Sequence, residues 1–67
     1  MEMLEKLKLY EDVLKREITA TKERLERGGG GFSPAYLEAH VRDYRAVLKI
    51  FYSIFPEIKP DEKYFLR

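Results

Sequence analysis

The chain has 67 residues, 45% of them hydrophobic and 37% charged, with no cysteine and no tryptophan. That length holds one small domain, 1–67, and the composition excludes disulfides and thiolate metal sites, leaving regular helix packing or self-association to stabilise a core this small. Thirteen Lys and Arg against twelve Asp and Glu leave a formal charge of +1, without the basic excess of a dedicated nucleic-acid binder.

The start, Met1-Glu2-Met3-Leu4-Glu5-Lys6, mixes acid with its apolar residues and leads into no apolar core, so it does not read as a secretory signal. No run approaches the ~18 apolar residues of a membrane span, and the cytoplasm is the expected compartment. Asn and Gln are both absent. Loss of thermolabile amides together with Lys, Glu and Arg enrichment is the composition of proteins that work hot, so a thermophilic source is expected.

The first 27 residues contain neither Gly nor Pro and are rich in Glu, Lys, Leu and Arg, which lose least on entering a helix. A helix over 2–27 follows. Gly28-Gly29-Gly30-Gly31 ends it, because glycine enters the left-handed end conformation without a Cβ penalty. Phe32-Ser33-Pro34 opens a second helix over 34–55: Ser33 caps, Pro34 takes the first helical position and Phe32 staples onto Leu37. Pro56 stops that helix by disfavouring helical geometry in the residue before it. In the tail, 56–67, Pro60-Asp61-Glu62 opens a short third helical turn with Asp61 as its cap.

Leu37, Val41, Tyr44, Leu48, Phe51 and Phe55 recur at spacings of four and three, and Leu4, Leu7, Glu11, Leu14, Ile18, Thr21 and Leu25 keep the same rhythm. Folded back at the glycines, Leu25 lies opposite Leu37, Thr21 opposite Val41, Ile18 opposite Tyr44, Leu14 opposite Leu48 and Leu7 opposite Phe55. The loop 28–33 is a normal length for antiparallel neighbours. The fold class is therefore all-α: an antiparallel helical hairpin with a tail packed on its open end.

Apolar residues concentrate at that open end. Seven of the nine residues Val47–Phe55 are apolar or aromatic, and Leu9, Val13, Val47, Ile50 and Ile54 sit on flanks of the seam. Two helices cannot shield so wide a belt. The tail, through Ile58, Tyr64, Phe65 and Leu66, is the slightly favoured cover within a monomer. A second copy, giving a homodimeric four-helix bundle with the apolar ends overlapped, is the other.

Sites for chemistry are sparse. Glu2 with Lys6, Glu11 with Lys15, Asp12 with Arg16, Glu23 with Arg27 and Glu38 with Arg42 read as i, i+4 pairs on a solvated surface. His40, the one histidine, has no Glu three residues away and reads as a flank residue, not a metal ligand. Ser33 is a cap, and Ser53 has no histidine at a useful spacing. The glycine run follows no strand and precedes no Lys-Ser/Thr, so it is no phosphate loop. Glu11, the acid in the apolar seam, is expected at its edge with the stripe shifting to Tyr10 and Val13, or as the entry point for a partner's basic group.

These readings lead to a non-enzymatic protein-interaction or self-association module without cofactor, metal or membrane partner. Its contact residues are expected to be Leu9, Val13, Ile50, Ile54, Tyr64, Phe65 and Leu66. The alternative is a weak nucleic-acid accessory protein using Arg42, Arg45 and Lys49, a basic line that Tyr52 extends. A lesser alternative is carried by Arg45-Ala46-Val47-Leu48-Lys49-Ile50-Phe51-Tyr52. This stretch resembles the motif by which replication proteins dock onto sliding clamps, with an aliphatic residue followed three positions later by two aromatics. Arg45 stands where that family has glutamine. The resemblance implies docking by Leu48, Phe51 and Tyr52.

Overall fold

The computed structural model describes residues 2–65, so Leu66 of the expected contact set lies outside the described residues. Two helices, α1 (Met3–Glu26) and α2 (Pro34–Ile54), pack against each other as an antiparallel hairpin, and a 3-10 turn follows at Glu62–Phe65. The helix limits fall within a residue of 2–27 and 34–55, the ordinary uncertainty of frayed helix ends.

The end of α1 shows why glycine is needed there. Gly29 N–H donates to the Arg24 carbonyl at 2.8 Å and Gly28 N–H to Leu25 at 3.3 Å, the paired bonds that satisfy the last carbonyls of a helix. Gly28 holds φ +95°, and a Cβ on Gly29, at φ +92°, would stand 2.5 Å from the Phe32 carbonyl oxygen. At the start of α2 the Ser33 hydroxyl accepts from Tyr36 N–H at 3.1 Å, with Pro34 in the first turn. Phe32 stacks on Tyr36 with 5.3 Å between centroids and lies under Arg24.

Leu14, Ile18, Val41, Leu48, Phe51, Tyr52 and Ile58 form the buried cluster, with Leu7, Tyr44, Phe55, Tyr64 and Phe65 packed against it. Two contacts fix the register. The Tyr10 ring lies 5.7 Å from that of Phe51, and the Tyr52 hydroxyl donates to Glu11. They bracket the level at which the two apolar series mirror each other.

Beyond Phe55 the chain turns back, with Ile58 N–H bonded to the Phe55 carbonyl at 3.0 Å and the Ile58 side chain buried. Tyr64 and Phe65 follow, half-buried. The tail thus lies along one broad face of a body whose extents are 39 × 22 × 15 Å. Because α2 runs against α1, residues rotated in the same sense from the seam, by about 60–120°, share a face on both helices. The tail takes the face of Glu11, Lys15, Arg45 and Tyr52. The opposite face belongs to Tyr10 and Val13 of α1 and to Tyr36, His40, Val47 and Ile54 of α2.

Of the five expected i, i+4 ion pairs, only Glu11–Lys15 closes among the described residues, at 3.5 Å. The others point into water, where an exposed pair gains little over two hydrated charges.

Candidate functional site

On the tail face, four polar groups from three segments converge. Tyr52, 7% exposed, donates its hydroxyl proton to Glu11 Oε2 at 2.5 Å, and Glu11 is itself only 8% exposed. Asp61 N–H donates to the Tyr52 oxygen at 3.3 Å. Lys15 Nζ bridges Glu11, at 3.5 Å, and Asp61 Oδ2, at 3.3 Å. Glu11 therefore does not escape to the edge of the seam, and Tyr10 and Val13 are the exposed residues instead. The correction has a physical cause: Tyr52 and Lys15 supply the donors that make a buried carboxylate tolerable. With those partners inside its own chain, Glu11 is not waiting for a basic group from elsewhere.

Burial, and next the hydrogen bond to Glu11, push the Tyr52 hydroxyl up to about 12. Burial also works to lower Lys15. The hydrogen bond to Asp61 and the charges of Tyr52, Glu11 and Asp61 outweigh it and leave the ammonium above its ordinary value. Asp61, expected as the cap of the 3-10 turn, sends its carboxylate to Lys15 and, at 4.0 Å, to Lys63. A cleft of about 780 Å³ opens between α1 and the tail, lined by Leu4, Lys8, Glu11, Lys15 and Glu57 through Glu62. Glu11, Lys15 and Asp61 on its wall are already engaged with one another.

The opposite face is apolar and bare. Val13 is 52% exposed, Ile50 58% and Ile54 62%, with Tyr10 and Val47 also open to solvent, while Leu9, 50% exposed, points about 160° from the seam, away from α2. Toward the loop the same face continues as an aromatic ladder: Tyr36 stacks on Phe32 and on His40, and His40 meets Tyr44 edge-on at 4.9 Å. The ladder was not anticipated, although its signal, an aromatic or imidazole ring at every fourth position from Phe32 to Tyr44, stands in the sequence. Among the described residues nothing covers the open-end part of this face.

The structure divides the expected contact residues. Leu9, Val13, Ile50 and Ile54 are exposed, whereas Tyr64 and Phe65 are half-buried on the other side of the hairpin, packed on the core. Among the described residues, tail and flanking residues lie on opposite faces, because the tail is tied to the polar network through Asp61–Lys15 and Arg45–Tyr64. The basic line is also divided: Arg42 and Lys49 are exposed, but Arg45 is half-buried and its Nε donates to the Tyr64 carbonyl at 2.8 Å. Tyr52, which was to extend that line, is in the core. So are Leu48 and Phe51, the other side chains of the clamp-like stretch.

No helix among the described residues is long and apolar enough to cross a membrane. Compared with family models, curated proteins and solved structures, the chain finds no match in any of the three.

Proposed function

We propose that the chain is a non-enzymatic protein-interaction module that binds through the bare apolar face formed by the first half of α1 and the second half of α2. The observation that carries this reading is the asymmetry of the hairpin. The tail shields the face bearing Glu11, Lys15 and Arg45, while Tyr10, Val13, Val47, Ile50 and Ile54 stay open on the other. A contiguous apolar patch of several hundred Å² on a small protein marks an interaction surface. The nucleic-acid reading has less support, since Arg45 holds the tail carbonyl and only Arg42 and Lys49 of that line face outward.

Ile50→Glu and Ile54→Glu test the reading, because both side chains are already exposed and their replacement costs the monomer little. The expected result is unchanged helix content with loss of concentration-dependent association and of hydrophobic-dye binding. If the unaltered chain shows neither property, or the variants keep both, the reading fails.

A further inference from the structure

Resting on the interaction-module reading, we infer that the occupant of the bare face is a second copy of this chain. It is turned about a two-fold axis that crosses both helices at the level of Glu11 and Asp12, so that α1 packs antiparallel on the partner's α1 and α2 on the partner's α2. The argument starts from the flank of α1 that the tail leaves open. Met3, Lys6, Tyr10, Val13, Glu17 and Ala20 recur there at spacings of three and four, a second seam beside the intramolecular one. Reversing that seam about the Glu11–Asp12 step exchanges Tyr10 with Val13, Lys6 with Glu17 and Met3 with Ala20. An aromatic then meets an aliphatic, a long side chain meets a short one, and a cation meets an anion at both ends.

The flank of α2 obeys the same axis. Tyr10 against Phe51 and Glu11 against Tyr52 fix the levels of the two helices, so the Glu11–Asp12 step lies level with the Ile50–Phe51 step. Reversal about that second step exchanges Val47 with Ile54, both exposed on the bare face. One rotation therefore makes both helices self-complementary, which is the condition an isologous interface must meet. The alternative two-fold, parallel to the helices, sets Glu17 of one copy near Asp43 of the other, a like-charge approach.

Size fits a weak, concentration-dependent dimer. About 20 residues of α1 overlap over about 30 Å, whereas α2 overlaps its copy only over Val47–Ile54, about 12 Å, so two helices each about 10 Å wide give a footprint on the order of 400 Å² before side-chain relief is counted. That is below the ~800 Å² of accessible surface per partner that a standard stable interface buries. Lys6 and Glu17 are exposed, and neither forms an ion pair among the described residues. They lie roughly 16 Å apart along one helix, too far to pair within a chain, so coupling between them has to pass between chains.

Charge reversal uses that separation. Lys6→Glu and Glu17→Lys should each weaken the dimer about tenfold in Kd, because two attractive contacts become repulsive. Mixing the two variants should restore a heterodimer within about threefold of the unaltered chain, since each reversed charge then meets its opposite. Sedimentation of each variant and of the mixture reads this, with circular dichroism confirming that both stay helical. A dimer abolished by Ile54→Glu but not rescued by mixing overturns the antiparallel register while leaving the interaction face intact. A chain that remains at 8.0 kDa at millimolar concentration overturns the second copy as occupant. In that case dye binding lost in Ile54→Glu upholds the face, and dye binding retained removes it as well.

Discussion

Tyr52 is the residue at which α1, α2 and the tail meet, through Glu11 on one side and the Asp61 amide on the other. Removing either member of the Tyr52–Glu11 pair strands a buried polar partner, whereas removing both leaves only the part-buried Asp61 amide without its acceptor and Lys15 with Asp61 alone. Tyr52→Phe and Glu11→Leu should each cost about 1–3 kcal/mol, and the double variant clearly less than their sum. Chemical denaturation of the four chains in the cycle measures this; strict additivity would show that the short contact carries no coupling. Gly29 sets a second local requirement. Gly29→Ala combines positive φ with a clash on the Phe32 carbonyl, while a Cβ on Gly28 meets nothing within 4 Å. Gly29→Ala should therefore destabilise more than Gly28→Ala, for which only the left-handed strain of about 1–2 kcal/mol applies. Equal losses would mean that the loop relaxes.

For the elements, the tail is a strap as well as a lid. It brings Ile58 into the core, lays Tyr64 and Phe65 against it, and ties itself down through Asp61–Lys15 and Arg45–Tyr64. Truncation before Pro60 removes two half-buried aromatics and both ties, so a loss of about 2–4 kcal/mol is expected, read as a lower melting midpoint. It leaves the opposite face untouched, so association should survive wherever the hairpin does. Unchanged stability after truncation would mean that the tail contributes no cover. The periodicity of three and four, the Ser33-Pro34 start and the glycine stop made both helices legible in the sequence, because these signals act within one or two turns. The side on which the tail lies was not legible. It follows from a hydroxyl, an ammonium and two carboxylates meeting across segments, and Tyr52 and Asp61 reach those positions only after the helices have packed.

As a whole molecule, the protein couples this network to pH. Tyr52 titrates at about 12 in the folded chain against 10.0 for the free group, and Lys15 is raised above 10.5. Both groups hold their protons more tightly when folded, so their stabilisation is complete below about pH 10 and declines as pH rises toward 12. Midpoints measured from pH 9 to 12 should fall. Tyr52→Phe should flatten the fall, and an equally steep fall in that variant would exclude Tyr52 as its source. The absence of Asn and Gln leads us to expect a midpoint above about 70 °C, beyond the ~45–65 °C range of mesophile domains. The midpoint should also climb with protein concentration if copies associate.

The sequence by itself determined two helices, their limits, the turn between them and the register in which they face each other. Those properties follow from spacing along one chain, where neighbours three and four apart must share a face. Only the tertiary structure decided that Glu11 is buried, that Arg45 and Tyr64 are joined, and which broad face the last segment covers. Such outcomes depend on donors and acceptors far apart in the chain arriving at one place, and no local pattern of apolar residues encodes that arrival.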